Sequence, residues 1–204
     1  MFGAGTDTTH TALEWTLTEL VRDPRAMKKL KAELRGIADG NCTIRDEDVN
    51  KLTYLKAVIR ETLRLHPPIP LYPRVLSEDC EFAGYRVAKG TKVLTNVWAI
   101  GRDPKVWDEP DEFRPERFVG SGIDFRGSDF QLVPFGSGRR ICPGINFAAA
   151  AMELAVANLV HRFDWEMPGN IDIMDMAEAP GQLGARKKER LRVKANIVYF
   201  AHQK

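Results

Sequence analysis

The stretch PFGSGRRICPG, residues 134 to 144, sets one cysteine, Cys142, among glycines, prolines and arginines. A sulfur in such a place can pack as a small hydrophobe, attack an electrophile or bind a metal. Gly136, Gly138 and Gly144 let backbone fold closely around it, with N–H groups free to point at it. The apolar run beginning at Gly144 predicts a helix whose positive N-terminal end lies beside the sulfur, a setting that favours the thiolate. A nucleophile would want a neighbouring base, and the four histidines, His10, His66, His161 and His202, offer no obvious partner. A lone cysteine ligand instead points to a metal held mostly by something else, such as a macrocycle.

Three further constellations could do chemistry or support it. AGTDTT, residues 4–9, places an acid directly before an alcohol; residues of these types also cap helix N-termini well. ETLR, residues 61–64, puts Glu61 and Arg64 three apart, on one helical face, where a solvated surface pair is the ordinary outcome. LHPPIPLYPR, residues 65–74, brings His66 and Arg74. The basic tail ARKKERLRVK, residues 185–194, reads as a solvated strand and turn.

The elements that must position these groups follow from periodicity. Leu13, Leu17, Leu20 and Val21 recur with helical spacing from Thr9 to Arg22, and the Asp-Pro at 23–24 stops that helix and starts another, ending near Gly36 or Gly40. A third helix carries Leu52, Leu55, Ile59 and Leu63 and stops before HPP at 66–68. Residues 81–97 predict two strands around a Lys-Gly turn, and residues 101–135 are rich in Gly, Pro, Asp and Arg, too long for an idle loop. Leu191, Val193, Ala195, Ile197 and Tyr199 alternate as a half-buried strand. The fold class expected is mainly α with small β-sheets.

Composition bounds the rest. With 204 residues, a hydrophobic fraction of 44%, a charged fraction of 28% and a net charge of +2, the chain suits a globular domain and gives no reason to expect nucleic acid. Its three cysteines, Cys42, Cys80 and Cys142, form no disulfide framework and favour a reducing compartment. The start, MFGAGTDTTH, has no signal-peptide pattern and reads as the middle of a helix. The run at 144–160 is interrupted by Asn146, Glu153 and Asn158 and predicts a buried core helix, not a membrane span.

Phe135, Gly138, Arg140, Cys142 and Gly144 together spell FxxGxRxCxG, which resembles the haem-binding signature of the cytochrome P-450 family. The resemblance implies that Cys142 is the axial thiolate ligand of haem b and that Arg140, with Arg74, meets its propionates. It implies that Asp7 and Thr8 relay protons to iron-bound dioxygen, that Ala4 and Gly5 leave room for it, and that Arg117 of PERF (115–118) completes a buried network with Glu61 and Arg64. AGTDTT, LRLHPP, WAIGRDP, FRPERF and FGSGRRICPG look like a plant microsomal member. Residues 1–204 would then be the C-terminal portion of a single domain whose N-terminal half, with the membrane anchor, is absent. The implied activity is monooxygenation of a small apolar or aromatic metabolite, with electrons from an NADPH-dependent flavoprotein reductase docking near Arg139, at the cytosolic face of the endoplasmic reticulum. A truncated remnant without catalysis that keeps the haem-binding motifs is the alternative. Phe2, Ile69, Leu71, Gln182 and Leu183 are candidates to line the substrate site, although 178–191 departs from the family's shorter turn.

Overall fold

The computed structural model describes residues 2–168, 174–181 and 184–200. Helix α1 (Phe2–Arg22) is a full turn and more longer than the apolar spacing predicts, because the small residues before Thr9 continue it. Asp23 then caps α2 (Pro24–Ala38), its carboxylate accepting from the backbone N–H of Arg25 at 2.9 Å and of Ala26 at 3.3 Å. Pro24, with no N–H to satisfy, takes the first helical position. Asp39 and Gly40, with φ of 45° and 80°, turn the chain out of α2.

The short α3 (Asp46–Val49) leads to α4 (Thr53–Leu65), whose N-terminus is capped from another helix. Glu33 of α2 accepts from the backbone N–H of Tyr54 at 2.7 Å and of Leu55 at 3.0 Å, and from the Thr53 hydroxyl at 3.1 Å. A single carboxylate thus satisfies orphan donors of one helix and fixes it to its neighbour. At the other end His66, which precedes a proline, has left the helical region with φ −124° and ψ 61°.

Strand β1 (Leu71–Val75), β2 (Cys80–Phe82), β3 (Tyr85–Val87) and β4 (Lys92–Asn96) form two small antiparallel sheets, β1 with β4 and β2 with β3. The expectation of two strands around a Lys-Gly turn is corrected here. Lys89-Gly90 joins β3 to β4, which do not pair; the hairpin turn is Ala83-Gly84, both at positive φ. The partner of β4 is β1, in register from Leu71 opposite Asn96 to Val75 opposite Lys92. Pro73 within β1 had hidden it, since proline is tolerated in a strand only where no ladder N–H is needed.

After α5 (Val97–Ile100), residues 101–135 form a long coil broken by a 3₁₀ turn at Pro115–Phe118. Helix α6 (Ile145–Arg162) follows the cysteine loop and packs against α1, α2 and α4. Its Met152, Val156, Ala157 and Val160 meet Leu20, Leu30, Leu34, Leu55 and Val58 in one core, and each such buried aliphatic side chain contributes roughly 1.5–3 kcal/mol. Among the described residues no helix is long and apolar enough to cross a membrane.

The chain ends in β5 (Phe163–Glu166), β6 (Glu178–Pro180), β7 (Ala185–Lys187) and β8 (Lys194–Ile197), with β5 paired to β8 and β6 to β7. The alternation foreseen for the tail slips. Leu191 and Val193 are half-buried, but Ile197 and Tyr199 are 60% and 90% exposed, while Asn196, Val198 and Phe200 turn inward. Two consecutive exposed residues, Lys194 and Ala195, change the phase, and Phe200 stacks on His161 at 4.6 Å between ring centres.

Candidate functional site

The cysteine loop is built by backbone geometry that its glycines permit. Gly136 and Gly138 lie at φ of 75° and 66°, the left-handed region that other residues rarely adopt. The turn they make brings the Cys142 N–H to the Phe135 carbonyl at 2.9 Å, closing the loop on itself. Phe135 reaches inward and packs at 5.3 Å against the buried ring of Phe125, anchoring the loop to the core. Gly144 is the N-cap of α6 and offers no side chain to its first turn. A Cβ built there would stand 3.8 Å from the Cys142 sulfur, so the helix N-terminus and the sulfur are neighbours. Cys142 is half-buried and forms no disulfide.

Two guanidiniums stand at the rim. Arg74, on β1, donates from Nη2 to the Arg140 carbonyl at 3.3 Å and lies 5.0 Å from the Tyr72 ring centre. Arg140 is exposed and pairs with no carboxylate among the described residues. A half-buried free cysteine in a loop that carries Arg140 and is bonded by Arg74 suits a metallated macrocycle bearing carboxylates, and the residues present fit haem. Phe135, Gly138, Arg140, Cys142, Gly144 and Arg74 are thus gathered in one place.

Ala4, Gly5, Asp7 and Thr8 occupy adjacent turns inside α1, which excludes helix capping as their role. The Thr8 hydroxyl donates to the Ala4 carbonyl at 2.7 Å, and Asp7 is half-buried with no hydrogen-bond partner among the described residues. No described hydrogen bond joins this turn to the cysteine loop. Ile69 is half-buried, Phe2 and Leu71 are exposed, and Gln182 and Leu183 lie outside the described residues.

The ETLR pair is not a solvated surface pair. Glu61 and Arg64 have no exposed side-chain surface, and Arg117 joins them with 7% exposed. Arg64 directs its N–H donors to both Glu61 oxygens, at 2.7 and 2.8 Å, and to the carbonyls of Gly101, Pro110 and Glu112, at 2.5, 2.6 and 3.0 Å. All five donors of the guanidinium are served. Glu61 Oε1 also accepts from Arg117 Nε at 3.0 Å and the Arg114 N–H at 2.8 Å. Both guanidiniums lie near the ring of Trp107, at 5.3 and 5.9 Å. The network ties α4 to the coil that leads into the cysteine loop. Sequence reading missed Gly101, Glu112 and Arg114, which contribute backbone groups that leave no side-chain signature.

A half-buried carboxylate, Glu153, faces Lys56, Arg60, Asp124 and Arg126 across a shallow depression beside α6. Burial pushes its carboxyl up, against the pull of the nearby cations.

Kinship agrees with this geometry. Residues 1–194 match the family model described as Cytochrome P450. The chain is 54% identical over 200 residues to Cytochrome P450 736A117 of Prunus mume, covering 96% of this chain and 38% of that protein. It is 53% identical over 184 residues to norfluorocurarine oxidase of a Strychnos species, covering 89% of this chain and 36% of that protein. A solved zebrafish cytochrome P450 with abiraterone superposes with a TM-score of 0.87 at 34% identity, over 97% of this chain and 47% of that one. The chain therefore spans well under half the length of the relatives it matches. A glycine-shaped cysteine loop, a buried Glu-Arg-Arg network and these matches converge: the chain belongs to the cytochrome P450 family, whose cofactor is haem.

Proposed function

We propose that residues 1–204 are the C-terminal portion of a haem-thiolate monooxygenase that inserts one atom of dioxygen into a small apolar or aromatic metabolite. The observation that carries this reading is the half-buried free sulfur of Cys142 beside the N-terminus of α6, in a loop that carries Arg140 and is bonded by Arg74. Haem held there supplies oxygen activation, which no side chain of this chain can perform. Cys142 would ligate the iron, and Arg140 and Arg74 would hold the propionates.

Thr8 and Asp7 move protons to the oxygen side. The Thr8 hydroxyl, held by the Ala4 carbonyl, presents its oxygen from within the helix, while Asp7 exchanges protons with water. Ala4 and Gly5 keep that turn small. The presence of norfluorocurarine oxidase among the relatives supports oxidation of a plant secondary metabolite. Electrons come from an NADPH-dependent flavoprotein reductase that reads the basic rim near Arg139, at the cytosolic face of the endoplasmic reticulum, with membrane attachment through the preceding half.

The test is turnover by the complete protein with reductase and a panel of small terpenoid, phenolic and indolic compounds. Oxygenated product dependent on NADPH supports the reading. In Thr8→Val the product formed per NADPH consumed falls about tenfold or more. An unchanged ratio removes Thr8 from the proton path.

A further inference from the structure

Away from the cysteine loop, His66 sits in a built polar site that the proposed chemistry does not use. It follows α4 directly and is 6% exposed. Its ring stacks on Trp15 of α1, with centres 3.8 Å apart and planes 3° from parallel. Nε2 lies 2.8 Å from the carboxylate of Glu19, on α1, and Nδ1 lies 3.1 Å from the carboxylate of Glu178, on β6. These two glutamates are 159 positions apart in the chain. An ionised carboxylate only accepts hydrogen bonds, so a ring serving both must donate from both nitrogens, as the imidazolium does.

The other charges around it are placed to keep the site balanced. Arg22 of α1 reaches Glu19 at 3.4 Å. Lys187, cross-strand from Glu178 and 2% exposed, bonds to the Asp175 carbonyl and lies 5.6 Å from the Trp15 ring. Arg102, which donates to the Leu65 carbonyl at 2.7 Å, senses the charges of Glu178 and Asp111.

What the bridge holds is the β6–β7 hairpin. Three-residue strands paired only with each other have little stability of their own. The hairpin is therefore positioned by its attachments. One is backbone: Ala185 N–H donates to the Pro68 carbonyl at 2.9 Å, and Gly184 sits so close to that carbonyl and to Ile69 that any side chain would collide. Lys187 of β7 also lies over the Trp15 ring, and a further attachment is the Glu19–His66–Glu178 bridge.

We infer that His66 is a positioning residue that, by donating to Glu19 and Glu178 at once, fixes the β6–β7 hairpin against α1 and the Pro68–Ile69 segment.

The experiment is amide hydrogen exchange on a complete cytochrome whose C-terminal part is this chain, comparing β6–β7 with α4. His66→Phe keeps the stacking on Trp15 and removes both donors. It speeds exchange in β6–β7 by about tenfold or more and leaves α4 unchanged. His66→Arg, whose planar guanidinium also stacks and can donate to two carboxylates, restores most of the protection. Glu178→Ala, at a residue outside the buried core whose side chain is 27% exposed, reproduces the His66→Phe effect, and the double variant adds nothing further. If His66 merely fills space, Phe preserves protection and Arg does not, and that result overturns the inference. So does equal acceleration in α4 and the hairpin, or a Glu178→Ala protein with unchanged exchange. Because exchange needs neither reductase nor substrate, the bridge can fail while the monooxygenase reading stands, and the reverse.

Discussion

Glu61 stands fully buried between two guanidiniums, and every charge in that group depends on the others. Removing the carboxylate in Glu61→Ala strands Arg64 and Arg117, and unfolding in denaturant should show a loss of about 3–5 kcal/mol. A loss below about 1 kcal/mol would mean that the network is solvated in solution. Glu153 titrates in the opposite sense from a paired carboxylate. Burial raises its folded value, so its contribution is complete below the ordinary glutamate range and disappears as pH rises through the raised value. Stability measured across mildly acidic pH should therefore fall less steeply in Glu153→Gln than in the native protein. Residues of both kinds were unequally legible. Glu61, Arg64 and Cys142 stood inside short motifs, whereas Glu153 was visible only as an interruption in an apolar run, because its neighbours come from α4 and the coil.

The elements were legible where one helix or turn contains its own signal. Helix α2 begins at an Asp-Pro step and α4 ends at a His-Pro step, and both signals act locally. Strand β1 and the phase of the tail were not legible, because their partners lie elsewhere in the chain and decide which side chains turn inward. Gly101 shows how much a single backbone position can carry. It has ordinary φ, near −66°, but any Cβ would collide with the Arg64 carbonyl, where the end of α4 meets α5. Gly101→Ala should cost about 1–3 kcal/mol or more through forced separation of those elements, read as a lowered midpoint in thermal unfolding. Gly144→Ala meets the Cys142 sulfur only at ordinary contact distance and should be tolerated, which makes it the matched control.

At the scale of the whole molecule, large apolar side chains stand at the surface: Phe82, Tyr85, Leu94, Phe130 and Phe147 among them. Such surface favours association. Expressed by itself, the 204-residue chain should bind haem weakly and aggregate, and joining it to the preceding half from a relative should restore soluble haem protein, as size-exclusion chromatography with absorbance detection would report. Fold class and family were readable without coordinates because the motifs occur in order along nearly the whole chain. The His66 bridge was not, since it joins three segments that only folding brings together.

The account turns on what the Cys142 sulfur is bonded to. Reduced with dithionite and exposed to carbon monoxide, the complete protein should show the long-wavelength Soret band that a thiolate opposite the bound gas produces, and Cys142→Ser should abolish it. A native protein without that band, or a serine variant that keeps it, would contradict the assignment.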